Sequence, residues 1–377
     1  MAPSLYIHVP FCVVKCGYCD FNSYVVEDHG AHDRFLDALE LELRASWAGG
    51  APASVFFGGG TPSLLSPERL RRLLKMVDRQ VGLSSTAEVT MEANPESMTA
   101  EKAAIAREHG VNRLSIGVQS FHEHHLRFLD RAHSAERAEA AFAEARAAGF
   151  DNLSVDLMFG IPGEEPVEWV ADLDRALLLR PDHVSCYNLT FEPGTRLHRA
   201  MRDELVGPNE DEVDREMFLH TRRRLTEAGF EAYEVSNFAG RGGPCRHNDH
   251  YWLQGDYVGV GPGASSHRRG VRWTNLKPLD AWADAALHGR PCAATAETLA
   301  PMQRAAEALW LGIRRRDGVD LRLVEERLGL PVREHFASRI EAHVEQGLVR
   351  NEADRLSLTD HGLLFCDRVG GDYLTAV

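Results

Sequence analysis

Short runs rich in β-branched and aromatic residues alternate with longer amphipathic stretches through the first half of the chain, and that alternation decides what it can fold into. The runs are Leu5–Val9, Ser54–Phe57, Glu88–Ala93, Arg113–Gln119, Asn152–Phe159 and His183–Thr190. Between them lie Asp33–Trp47, Pro67–Val81, Ala100–His109, Ala135–Ala148 and Glu165–Leu179, where apolar positions recur at helical spacing. Ser66, Thr99 and Ser134 stand where N-caps belong, and Gly110 and Gly149 where helices should stop. Repeated strand-and-helix units build a parallel sheet through right-handed crossovers. Six units are fewer than the eight of a closed TIM barrel. The expectation is an α/β fold with an open, partial, six-unit βα barrel of the TIM type over residues 1–195.

Pro193 and Gly194 mark a change of character. Residues 196–300 read as an extension of the barrel: an acidic helix around Asp211–Gly229, then a segment rich in Gly, His and aromatics over Ser236–Trp273. Residues 301–377 read as a compact C-terminal unit, with helices over Pro301–Arg314, Leu321–Leu328 and Val332–Glu345 and a hairpin of Gly347–Arg350 with Arg355–Thr359. Three helices and a hairpin make a winged-helix-like α+β pattern. Such units often bind DNA, but this one has no concentrated basic face, so a packing role is expected.

A chain of 377 residues, 44% of them hydrophobic, suits two or three domains with sizeable cores. The net charge of −14 argues against a nucleic-acid or anionic-membrane binder. No apolar run is long enough to span a membrane, and the N-terminal MAPSLYIHVPFC has neither a basic nor an apolar leader region. A cytoplasmic protein that is not integral to a membrane is expected.

Seven cysteines, an odd number in a long chain, do not make a disulfide scaffold. Cys186, Cys245, Cys292 and Cys366 are scattered and read as small buried hydrophobes. Cys12, Cys16 and Cys19 are different: their spacing, C-x3-C-x2-C, brings three thiolates close enough to hold three irons of a [4Fe–4S] cubane. With no fourth cysteine nearby, one iron is left open to a small ligand. The competing reading is structural zinc, which prefers four closed ligands. The near candidate for the fourth is His8, inside the first strand.

At this motif the chain resembles the radical SAM superfamily, over residues 4–190 at least. The resemblance implies that the amino and carboxylate groups of S-adenosyl-L-methionine (SAM) chelate the open iron, and that an electron from the cluster cleaves SAM to a 5′-deoxyadenosyl radical. Barrel function is built at the C-terminal ends of strands. In order, those ends carry Cys12, the run Gly58-Gly59-Gly60-Thr61-Pro62, Glu92, Gln119, Asp156 and Thr190. The glycine run lets backbone approach a ligand, and resembles the superfamily's motif for the SAM amino group. Glu92 and Asp156 are acceptors for ribose hydroxyls or that amino group. Gln119 can donate and accept, and Arg131 offers a fork of donors to a carboxylate. Tyr6 and Tyr18 flank the cluster; Tyr6 serves equally well as core packing.

Taken together, YIHVPFC, GGGTPS, EANP, GVQS and DLMFGIPG resemble the oxygen-independent coproporphyrinogen III oxidase family, which holds true oxidases and a sister group of haem chaperones, HemW. The oxidases carry a fourth cysteine two residues after the third; here Phe21 stands there, as in the chaperones. The oxidases also have an N-terminal extension, whereas the first strand here begins at about residue 4. His247-Asn-Asp-His250-Tyr251-Trp252 resembles the chaperones' haem-binding motif H-N-x-H-Y-W. Either imidazole could ligate haem iron, the two rings could stack on a porphyrin, and Arg241, Arg246, Arg268, Arg269 and Arg272 could meet propionates. The alternative is a buried aromatic turn with two satisfied histidines. The resemblance implies a haem chaperone that binds cluster, SAM and haem, passes haem to acceptor proteins, lacks coproporphyrinogen III oxidase activity, and has room for transient contact with membrane haem proteins. The second reading is a radical SAM enzyme, such as the oxidase itself.

Overall fold

The computed structural model describes residues 2–377. The first half follows the expected alternation: β1 (Ser4–Val9), α1 (His29–Ser46), β2 (Ser54–Gly59), α2 (Pro67–Val81), β3 (Glu88–Ala93), α3 (Ala100–Glu108), β4 (Arg113–Gln119), α4 (Glu123–Phe128), α5 (Ala135–Ala147), β5 (Leu153–Phe159), α6 (Pro166–Leu178) and β6 (His183–Asn188). The six strands pair in parallel and in chain order. Caps act where the sequence put them. The hydroxyls of Ser66, Thr99 and Ser134 accept from the amides of Arg69, Lys102 and Arg137. Gly110 and Gly149 follow their helices at φ +92° and +89°, a conformation that costs glycine nothing. The strands are buried almost throughout, as strands covered on both faces must be. Leu5, Ile7, Val9, Leu114 and Ile116 are wholly buried in one core with Phe35, Leu39 and Leu43 of α1.

The sheet is wider than its periodicity announced. After α7 (Arg196–Arg202) and α8 (Asp211–Glu227), the short strands β7 (Glu231–Ala232) and β8 (Asn237–Ala239) add antiparallel at the β6 edge. Then come α9 (Arg246–Trp252), β9 (Tyr257–Val260), β10 (Ser265–Arg268), β11 (Val271–Asn275), α10 (Leu279–Leu287) and β12 (Ala293–Thr298). β9 pairs parallel to β1 and leads the others onto that edge. The result is twelve strands ordered β12-β11-β10-β9-β1-β2-β3-β4-β5-β6-β8-β7. Strands of two to six residues carry too little alternation to be read locally, and the β9–β1 pairing joins residues about 250 apart in sequence.

The C-terminal unit has its own core, from Ala305 to Tyr373. It contains α11 (Pro301–Gly312), β13 (Val319–Asp320), α12 (Leu321–Leu328), α13 (Val332–His335), α14 (Ala337–Glu345), β14 (Val349–Glu352), β15 (Arg355–Leu358), α15 (Asp360–Leu363) and α16 (Cys366–Leu374). The three strands pair antiparallel in the order β13-β15-β14. The stretch read as one helix over Val332–Glu345 breaks at Phe336, whose ring is buried in this core. α15 and α16 were not expected; Val369 and Tyr373 of α16 close the core against Leu309 of α11. No helix among the described residues is long and apolar enough to cross a membrane.

One polar contact locks the second half to the barrel. Glu88, the first residue of β3, accepts from the amides of His247 (3.0 Å) and Arg246 (3.1 Å) at the start of α9. A carboxylate at a helix N-terminus satisfies orphan N–H groups and meets the positive end of the helix dipole. Glu88→Ala should therefore lower stability by about 1–2 kcal/mol, read as an earlier urea midpoint; an unchanged midpoint would mean that packing alone holds α9.

Candidate functional site

The loop after β1 folds back on itself. Tyr24 donates its amide to Pro10 O (2.7 Å), and Cys12 donates to Tyr24 O (3.0 Å). Buried Phe11 anchors the loop edge-on against Phe35, 5.2 Å between centroids. The glycine run lies alongside: Gly60 donates to Val9 O and Thr61 to Phe11 O, at 2.8 and 2.7 Å. A Cβ on Gly60 would sit 2.7 Å from Phe11 O, and one on Gly59, at φ +104°, would meet the His8 ring at 2.4 Å. The glycines are thus needed first so that this turn can press against the cysteine loop, a nearer reason than ligand approach.

Cys12, Cys16 and Cys19 are free and partly exposed. Thr61 Oγ1 reaches Cys12 Sγ and Arg131 Nη1 reaches Cys16 Sγ, each at 3.7 Å. Among the described residues, the one set of three ligand atoms from His, Cys, Asp or Glu lying within 4.8 Å of one another is elsewhere, so the three sulfurs are not all that close. A single zinc draws its thiolates to within about 4 Å of each other, whereas thiolates on separate irons of a cubane stand farther apart. His8 is not a spare ligand: Nε2–H donates to Asn22 O (2.8 Å) and Nδ1 faces Tyr6 OH (3.1 Å). Burial pushes the Cys12 thiol up and Cys19 to about 11, so a cation is needed to hold them as thiolates. The donor set fits a [4Fe–4S] cluster better than zinc.

The strand ends converge beside this loop. Half-buried Arg131 donates to Asn94 Oδ1 (2.7 Å) and Gly117 O (3.0 Å), while its Nε has no hydrogen-bond partner. Gln119 ends β4 at φ +66°, next to a register shift, a strained placement for a residue with a Cβ. Asp156 accepts from Ser115 (2.7 Å) and Ser154 (2.9 Å). Glu92 accepts from Gly59 N at 3.1 Å. Burial, then the nearby charge of Asp156, raise Glu92 to about 7. Tyr18 packs beside Leu129, Met158 and Leu197. The sequence reading missed Asn94, which also donates to Thr61 Oγ1 at 3.0 Å; standing two residues after Glu92, it was recoverable from strand alternation.

The three cysteines, Tyr18, Thr61, Glu92, Asn94, Gln119, Arg131 and Asp156 line one cavity of 1220 Å³, and α9 closes its far end. Here the HNDHYW segment splits. His247 and Tyr251 face the cavity, with His247 stacked on Phe56 (5.0 Å) and near Tyr6 (6.5 Å). His250 and Trp252 do not: His250 donates to Asp256 O (2.7 Å), and Trp252 lies under the Arg314 guanidinium (5.1 Å). Tyr251, four residues on from His247, shares its face, and Trp252, five on, lies well round the helix; His250, three on, is held away from the cavity by its bond to Asp256 O. Of the five arginines near the segment, only Arg272 lines the cavity. Arg246 instead donates to Thr86 O. Of the scattered cysteines, Cys186, Cys245 and Cys366 are buried as expected, but Cys292 is partly exposed.

The radical SAM superfamily model matches residues 6–176, and the HemN C-terminal domain matches 299–365. A Mycobacterium tuberculosis protein named "Heme chaperone HemW" is 43% identical over 371 residues, covering 97% of this chain and 93% of its own. The Bacillus subtilis protein of the same name is 37% identical, covering 98% and 99%. The chain belongs to the HemW family. Membership implies a [4Fe–4S] cluster and SAM, which the geometry above accommodates. Escherichia coli HemN, a coproporphyrinogen III oxidase and radical SAM enzyme, matches 100% of this chain and 91% of its own with TM-score 0.87 at 24% identity, which establishes the shared fold.

Glu92 supplies a test of this buried rim. Its carboxyl ionises near its ordinary value of 4.5 when unfolded and near 7 when folded. Its contribution to stability is complete below the first value and lost as pH rises through the second. In the ligand-free protein, Glu92→Gln should gain in Tm relative to the native chain as pH goes from about 5 to about 8. A difference independent of pH would show that Glu92 is solvated.

Proposed function

We propose that this chain is a cytoplasmic haem chaperone that carries a [4Fe–4S] cluster on Cys12, Cys16 and Cys19, binds SAM at the strand ends, holds haem against α9 and passes it to acceptor proteins. The observation that carries this is the single cavity, with three cysteines at one end and an aromatic wall of Tyr6, Phe56, His247, Tyr251 and Tyr257 at the other. At 1220 Å³ it exceeds the volume of about 300–1,000 Å³ usual for one small ligand.

A cluster with three cysteine ligands supplies an open iron for SAM and the electron that can cleave it. The chain's part is placement. Arg131, with its unpartnered Nε, is aimed at a carboxylate; Glu92 and Asp156 are acceptors for a cation and hydroxyls. A cationic group beside Glu92 would draw its carboxyl into the ionised form.

Haem is cargo at the other end. Ser54 Oγ gives its proton to Ser4, so it accepts from His247 Nδ1–H (2.8 Å), and the Nε2 lone pair is left to Tyr251 O–H (2.8 Å). That is the arrangement of a ligating histidine, with the far nitrogen fixed by a polar neighbour. An iron at Nε2 displaces one hydroxyl. His250 has its Nε2–H committed to a carbonyl and holds the helix. Arg272, paired now with Glu297 and Glu307, can turn to a propionate.

On this reading His247→Ala should lose the axial-ligand shift of the haem Soret band, while His250→Ala keeps it. Burial and the neighbouring His250 lower His247 to about 3, so ligation should hold steady from about pH 8 down to about pH 5. An unaltered Soret band in His247→Ala would remove the assignment.

Replacing Cys12, Cys16 and Cys19 together by Ala should abolish the roughly four irons expected of anaerobically reconstituted protein. Retention of a full cluster would overturn the ligand set. The oxidase is the second reading, and its shared fold is what favours it. Phe21, 59% exposed at the cavity, stands where the oxidases carry their fourth cysteine. Anaerobic conversion of coproporphyrinogen III would decide for the oxidase.

A further inference from the structure

A second group of metal-ligating side chains lies outside the barrel, where α4 meets α6. The run His122-Glu-His124-His125 opens α4, and Glu168 lies in the first turn of α6. One ligand atom each from His122, His124 and Glu168 lie within 4.8 Å of one another. His124 Nε2 is 3.1 Å from Glu168 Oε1, and His125 Nε2 is 3.4 Å from Oε2. The three imidazoles are gathered, with centroids 4.0 to 5.7 Å apart.

Two features separate this group from a chance surface cluster. The side chain of His125 is only 3% exposed, and its Nε2 faces Glu168 Oε2 at 3.4 Å without hydrogen-bond geometry, a buried nitrogen turned towards the place where a cation would sit. The group is also held from behind. His122 Nε2–H donates to Glu168 O (3.1 Å), and Glu168 Oε2 accepts from Glu165 N (3.0 Å), which fixes the carboxylate at the helix start. Beneath them Asp172 accepts from Ser120 Oγ (2.6 Å) and Phe121 N (2.8 Å), tying the segment before α4 to the same helix.

We infer that His122, His124 and Glu168 form a binding site for a divalent transition ion of the zinc class, with His125 beside it as a further nitrogen donor. Two imidazoles and a carboxylate are a donor set that zinc and its neighbours accept, with water or a third imidazole filling the remaining position. The site is independent of the cluster cysteines and of the proposed haem function. A bound ion would fasten segment 120–131 to α6. That segment runs from the end of β4 to Arg131, whose guanidinium lies against Cys16, so the ion would stiffen the rim from outside.

The test uses the full chain with its cluster loaded, so that the cysteines are occupied. Zinc ion is titrated in competition with a chromophoric chelator. The native chain should take up about one zinc more than His122→Ala/His124→Ala, and Glu168→Gln should weaken that zinc by about tenfold or more. His124→Ala alone, at a half-exposed side chain, preserves folding and should weaken it similarly. Zinc should also slow amide exchange over residues 120–131 in the native chain and leave the double variant unchanged. Equal zinc uptake and affinity in native and variant chains, or exchange in this segment indifferent to zinc, would overturn the site.

Discussion

Six parallel strands form an arc too short to close, and most of the rest of the molecule answers that constraint. An arc leaves the inward side chains of its strands open from one side and below. α9 fills the floor, held there by the buried carboxylate of Glu88 at the root of β3. β9 extends the β1 edge and β8 the β6 edge, so the two most exposed ladders are paired. The interior that remains is neither a packed barrel core nor open solvent; it is a roofed space with polar groups at the strand ends and aromatic rings at the floor.

That space explains why charged groups are buried here at all. Arg113 and Arg131 lie inside with Glu88, Glu92 and Asp156, an arrangement in which each charge is partly compensated by another or by a fixed donor. Hydrophobic replacements would be better for folding alone. Arg131, Glu92 and Asp156 stand together towards the strand ends, the placement expected of groups kept for binding and not for packing.

The sequence was legible where the physics is local. Six strands and five helices stood out because buried parallel strands and amphipathic helices carry their period over many residues, and capping residues sit beside the groups they satisfy. The rim residues were legible once strand ends were known. What stayed hidden depends on distant partners: β9 joining β1, the second nitrogen of His8 committed to Asn22, and Trp252 turned beneath Arg314. HNDHYW read as one unit because six letters are adjacent, and a helix distributes adjacent letters around its axis. The His122–Glu168 group was invisible for the same reason, since its carboxylate comes from another crossover helix.

Tyr6 runs between the two ends of the cavity. Its ring packs beside the stacked pair of Phe56 and His247, and its hydroxyl donates to His8 Nδ1, whose other nitrogen grips Asn22 in the cysteine loop. One chain of contacts thus joins the two ends. If occupancy at the cysteine end alters affinity at the α9 end by some factor, thermodynamic linkage requires the same factor in reverse. With such a factor, whatever fills one end would be weighed against whatever fills the other.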